Sequence, residues 1–147
     1  ALSQRARRGT PLGRVLDYGS GSGILAIAAA VLGAARVDAV EIDAHVHRSI
    51  SANATRNGVA DVLHVSHLLP PQVAPYDLVV ANIVAPVLVE HAAALCERVD
   101  RRGGAVVLSG LLEGDVPAVA ARYAALLGCE PAVGTRGDWR CLTFAPA

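Results

Sequence analysis

The chain has 147 residues and is about one domain long, enough to bury roughly 70% of the surface its unfolded form exposes. Hydrophobic residues make up 53% and aromatics only 3%, so the core must be built from Ala, Val, Leu and Ile, as in a parallel sheet covered on both faces. Thirteen basic and thirteen acidic side chains cancel, which gives no support to nonspecific binding of nucleic acid or a membrane surface. Cys96, Cys129 and Cys141 are odd in number and lack Cys-x-x-Cys spacing, so they form neither a disulfide framework nor a zinc site. Three reduced thiols fit a cytoplasmic protein. No methionine occurs and no signal-peptide pattern opens the chain, which suggests a piece of something larger.

From Ala1 to Pro11 the chain carries Arg5, Arg7 and Arg8 and reads as a solvated terminus, with a basic patch for a partner as the alternative. Arg14 to Tyr18 is a short apolar strand, followed by Gly19, Gly21 and Gly23 and then a run of small apolar residues that ends near Gly33. This is a strand, a glycine turn and a helix. A flexible linker would have polar, aperiodic flanks, and these flanks are neither. A dinucleotide fingerprint would place its third glycine where Ile24 stands. The pattern Asp17-x-Gly19-x-Gly21-x-Gly23 instead resembles the first motif of class I S-adenosylmethionine-dependent methyltransferases.

A second strand runs through Arg36 to Val40 and ends in Glu41 and Asp43. Glu41 lies about 20 positions beyond the turn glycines, the spacing at which a carboxylate meets ribose hydroxyls in nucleoside-binding folds. Asp43 reads instead as the N-cap of a helix from Ala44 to Asn57, with Val46, Ile50 and Ala54 inward. His45 and His47 are two apart on that helix and cannot share a face as a metal pair. Asp61 to Ser66 gives a third strand. Ser66 or His67 can hydrogen-bond an adenine edge after it, although His67 equally suits a surface loop.

After the proline-rich stretch Leu68 to Pro75, strand four is Tyr76 to Asn82. Ile83 to Pro86 leads into a helix whose inner face carries Leu88, His91, Ala92, Leu95 and Val99, with His91 at its boundary. Strand five is Gly104 to Ser109, and a further amphipathic helix, with Val116, Val119, Ala120, Tyr123 and Leu127 inward, ends at Gly128. Cys129 to Thr135 and Trp139 to Ala145 are two strands joined by a hairpin at Arg136-Gly137-Asp138. The expected fold is a three-layer α/β sandwich of one domain over residues 1–147, with a seven-stranded, mostly parallel sheet whose last strand is antiparallel.

Taken together, Asp17 to Ala30, Val40 to Asp43, Val80 to Leu88, Leu108 to Glu113 and Gly137-Asp138-Trp139 resemble the PrmA family, which methylates protein eleven of the large ribosomal subunit. The resemblance covers nearly the whole chain. It implies a Rossmann-like class I methyltransferase fold, S-adenosyl-L-methionine as cofactor and a ribosomal protein as partner. It also implies that Gly19 lies against the methionine portion, that Glu41 holds the ribose, and that Asp17, Gly21 and Gly23 shape the turn. Asn82 would sit beside the sulfonium and the incoming amine; the plain alternative is a cap for the following helix. For Trp139 hairpin packing is the expectation. Two departures stand out: family members carry an amino-terminal substrate-gripping domain and a threonine-containing segment before the first strand, and Glu41 replaces the usual Asp. Two other readings stand beside this one, a methyltransferase for another protein lysine or a small molecule, and a cofactor-binding module with no activity of its own.

Overall fold

The computed structural model describes residues 12–71 and 74–146. The basic run Arg5, Arg7 and Arg8 and the middle of the proline-rich loop lie outside them. Seven strands form one sheet in the order β3-β2-β1-β4-β5-β7-β6. In chain order the elements are β1 (Arg14–Tyr18), α1 (Ile24–Val31), β2 (Arg36–Val40), α2 (Ala44–Arg56), β3 (Leu63–Ser66) and β4 (Leu78–Asn82). They continue with α3 (Ala85–Cys96), β5 (Ala105–Leu111), α4 (Val116–Leu127), β6 (Ala132–Arg136) and β7 (Trp139–Phe144). β1 through β5 pair in parallel, and β7 runs antiparallel to both β5 and β6. Among the described residues no helix is long and apolar enough to cross a membrane.

Successive strand residues point to opposite faces, so each central strand supplies two cores. Leu16, Val79, Ala81, Val106 and Leu108 meet α3 and α4 through Leu88, Leu95, Val119, Tyr123 and Leu127. Val15, Val37, Ala39, Leu78 and Val80 meet α1 and α2 through Ala26, Ala29, Ile50 and Ala54. The small alanines of α1 let that helix lie close on the sheet. Parallel strands joined by helices leave every C-terminal strand end on the same edge, and that edge carries the site.

Several boundaries shift from the sequence reading for local reasons. β2 stops at Val40, which leaves Glu41 just past the sheet with its N–H donating to the Ser66 carbonyl at 3.0 Å. β6 begins at Ala132 rather than Cys129, because Pro131 cannot donate to a ladder. β5 runs on through Gly110 to Leu111, with its pairing to β7 slipping between Leu108 and Leu111 as a β-bulge.

Two acidic side chains, Asp17 of β1 and Asp38 of β2, are buried in the sheet. Asp38 is 3% exposed; Arg36 Nε donates to both its oxygens at 3.1 Å, and the Tyr76 hydroxyl donates to Oδ2 at 2.9 Å. Burial pushes the Asp38 pKa up, but these hydrogen bonds outweigh it and hold the carboxyl below its usual range. The same contact pushes the Tyr76 hydroxyl up to about 12, after burial as the larger cause.

Ile50 is fully buried beneath the glycine turn, and a Cβ at Gly23 would come within 2.7 Å of its Cγ2. Ile50→Ala should therefore lower stability by about 2–5 kcal/mol in urea unfolding, since the void opens under a turn that cannot collapse into it.

Candidate cofactor and methyl-transfer site

The turn after β1 is built on three glycines with φ of 76°, 52° and 80° at positions 19, 21 and 23, a region that side chains oppose. Gly19 and Ser20 donate their N–H groups to the Val40 carbonyl at 2.9 and 3.0 Å, tying the turn to the end of β2. Gly23, the N-cap of α1, has no side chain to cap the helix. Asp17 does so instead, with its Oδ2 accepting the Ala26 N–H at 3.0 Å from the neighbouring strand end. Asp17 is only 1% exposed, and its second oxygen, Oδ1, is buried without a hydrogen-bond partner. Burial pushes the Asp17 carboxyl up to about 6, against the opposing pull of the nearby Ser20 hydroxyl, which donates to the Asp17 backbone carbonyl at 2.9 Å, and of the Ala26 N–H on Oδ2.

Glu41 reaches across to the same turn. Its Oε2 accepts the Gly21 N–H at 2.8 Å and its Oε1 accepts the Asp43 N–H at 3.0 Å. Its own carbonyl is 2.7 Å from His47 Nε2, which must carry the proton for the contact to be a hydrogen bond. A carboxylate has about four acceptor positions, so two remain for hydroxyl donors. Asp43 caps α2 as its type suggests, accepting the His45 N–H at 2.9 Å. Ser66 follows at the end of β3, its hydroxyl donating to the Leu68 carbonyl at 2.9 Å, with lone pairs left to accept.

Asn82 ends β4 opposite Ser109 of β5 and is exposed. It does not cap the following helix: Val84 is the N-cap of α3 and provides no side-chain hydrogen bond. The Asn82 side chain lies against Gly110, where a Cβ would come within 2.6 Å of Oδ1. A cleft of about 1060 Å³ opens beside it, walled by Ser109 and Gly110 and by the β6–β7 hairpin. Trp139 lines this cleft at 59% exposure, so it does not pack the hairpin as its residue type suggests.

Asp17 near the end of β1, Gly19 and Gly21 after it, Glu41 after β2 and Ser66 at the end of β3 thus lie along three adjacent strand ends, with Asn82 at the end of β4 beside them. Gly110 and His47, which touch Asn82 and Glu41, do not stand out as site residues in the sequence. Their only sequence signals are the Ser109-Gly110 pair and a histidine in the first turns of a helix. The donor set suits a nucleoside carrying an amino-acid tail. Glu41 has free acceptor positions, Gly21 has open space above its Cα, and the unpartnered Asp17 oxygen can accept from a water or an ammonium group.

The strand order, the lone antiparallel strand and a glycine turn facing an acid after β2 define a class I methyltransferase fold. An O-methyltransferase from Streptomyces achromogenes, solved in complex with SAM, shares it with a TM-score of 0.71 at 22% identity, over 99% of this chain and 78% of that one. More narrowly, the chain belongs to the ribosomal protein L11 methyltransferase (PrmA) family, whose model matches residues 1–146. Relatives of that name from Dechloromonas aromatica and Alkalilimnicola ehrlichii are 46% and 42% identical over 87% and 97% of this chain. The chain spans only 42% and 49% of their lengths, about half. A ribosomal protein L11 methylase from Lactobacillus delbrueckii subsp. bulgaricus matches with a TM-score of 0.85 and 30% identity, over 99% of this chain and 77% of that one.

Asp17 makes a prediction about pH. Its pKa is about 6 when folded and 3.8 when unfolded, so the folded state binds the proton more tightly. The cost of ionising it is absent below pH 3.8, grows through the window and is complete above about 6, reaching about 3 kcal/mol. Between pH 4 and 7 the protein should lose stability relative to an Asp17→Asn variant, measured by urea unfolding; parallel profiles would contradict the assignment.

Proposed function

We propose that this chain binds S-adenosyl-L-methionine and carries out methyl transfer to amino groups, a lysine side chain or an α-amine, of protein eleven of the large ribosomal subunit. The observation that carries the reading is the Glu41 carboxylate bound to the Gly21 N–H, which joins the β2 exit to the glycine turn and keeps acceptor positions for two hydroxyls. The names of the relatives support the substrate.

When bound, the cofactor supplies an electrophilic methyl group on a positively charged sulfur. Glu41 would hold the ribose hydroxyls, Gly21 would admit the tail by its lack of a side chain with the Gly19 backbone lying against the methionine portion, and Ser66 would accept from the adenine edge. Asn82 would orient the N–H groups of the attacking amine through Oδ1. The amine must be neutral to attack. A lysine with pKa of about 10.4 is nearly all protonated at neutral pH, whereas an α-amine near 7.7 is closer to readiness, and desolvation at the cleft favours the neutral form of either. Proton loss to water completes the transfer. The main contribution of the protein is positioning.

Calorimetric titration with S-adenosylmethionine tests the cofactor half of the reading. Glu41→Ala should weaken binding by about tenfold or more, the worth of one charge-assisted hydrogen bond. Equal affinity of parent and variant would remove Glu41 from the site. Transfer of labelled methyl to the purified ribosomal protein tests the other half; with both ligands saturating, Asn82→Ala should lower turnover without matching loss of cofactor affinity.

A further inference from the structure

Asn82 and Ile83 leave the sheet between two glycines that have nothing in common in sequence. On the β1 side stands Gly19, with φ of 76°; a Cβ there would overlap the Ile83 Cγ2 methyl. On the β5 side stands Gly110, with φ of 80°, where a Cβ would lie 2.6 Å from Asn82 Oδ1, 3.3 Å from the Ile83 carbonyl oxygen and 3.4 Å from the Ile83 nitrogen. Gly110 stands here because β4 and β5 stay in register up to Asn82 and Ser109, while on its other side the pairing of β5 with β7 slips between Leu108 and Leu111. The methyl of Ile83 therefore fills the space above one glycine while the Asn82 amide fills the space beside the other.

We propose that Gly19 and Gly110 are two side-chain-free jaws that seat Asn82 and Ile83, and that the β-branch of Ile83 is the spacer setting the distance from the glycine turn to the Asn82 amide. Ile83 and Gly110 are then positioning residues. The spacer geometry stands on the contacts alone; its consequence for turnover rests on the methyl-transfer reading. The physical ground is that Ile is stiff at χ1, so its Cγ2 has one place to go, whereas an unbranched side chain leaves the space above Gly19 empty and lets the β4 exit drift toward the turn. A drift on the order of 1 Å at a positioning group costs up to about a hundredfold in rate.

Leucine has as many atoms as isoleucine but no β-branch, and valine keeps the branch while losing a methyl. Comparing Ile83→Leu with Ile83→Val therefore separates the spacer from bulk hydrophobicity. Two readouts are needed: the side-chain amide resonance of Asn82 in the unliganded protein, and kcat and KM for methyl transfer. Ile83→Leu should move the Asn82 amide signal and lower kcat by about tenfold or more, with KM for the cofactor nearly kept, while Ile83→Val keeps the parent signal and most of the turnover. A Leu variant with the parent signal and parent kcat, or Leu and Val variants altered alike, would overturn the proposal. If the parent protein transfers no methyl group, the functional reading fails, and the amide resonance still decides the spacer: moved by Leu and not by Val it stands, moved by neither it falls.

Discussion

The site depends on one carboxylate that binds backbone from two directions. Glu41 accepts the N–H of Gly21 and the N–H of Asp43, while its own N–H is held by Ser66 and its carbonyl by His47. The ends of β2 and β3, the start of α2 and the glycine turn are thereby fixed relative to one another. The turn is tied down as well where the Gly19 and Ser20 N–H groups meet the Val40 carbonyl, where the Ser20 hydroxyl meets the Asp17 carbonyl and where Asn53 of α2 donates to the Ser22 carbonyl. A charged acceptor is needed here because two amides must be satisfied while capacity for a ligand remains.

The second constraint is the closeness of backbone around β4. A parallel sheet brings the exits of β1, β4 and β5 to one edge, and there a Cβ at position 19 would overlap the Ile83 methyl and one at position 110 would press on Asn82 Oδ1. Gly19 and Gly110 resolve this by having none, and the room goes to Ile83 and Asn82. Asp17 is buried at the other side of the turn, under the start of α1. A glycine N-cap cannot supply a capping side chain, so a buried carboxylate on the adjoining strand does so, with its pKa raised to about 6 as the consequence.

Much of this can be read from the sequence because the signals are local. The glycine turn lies between a strand pattern and a helix pattern, Asp43 has the residue type and place of an N-cap, and the apolar runs of β1 and β4 mark strands buried on both faces. What the sequence hides depends on residues distant along the chain. The bulge at Gly110 exists only in the register of β5 against β7, and the Asn82 contact exists only because β4 and β5 are neighbours. Trp139 suggests hairpin packing because an aromatic residue at a strand start usually buries itself; its exposure follows from the cleft between the hairpin and the β4 exit. Asp38 reads as an ordinary strand residue, since its partner Tyr76 is remote in the chain.

If the turn at Gly19 to Gly23 and the carboxylate of Glu41 make one binding surface for the nucleoside cofactor, ligand should perturb both at once. The most direct test is titration of the isotope-labelled protein with S-adenosylhomocysteine, followed by the backbone amide signals of Gly19, Gly21 and Asp43. These three should move together, along one saturating curve, with the Asn82 side-chain amide beside them. Saturable shifts confined to the β6–β7 hairpin, with the turn amides unmoved, would contradict a shared surface.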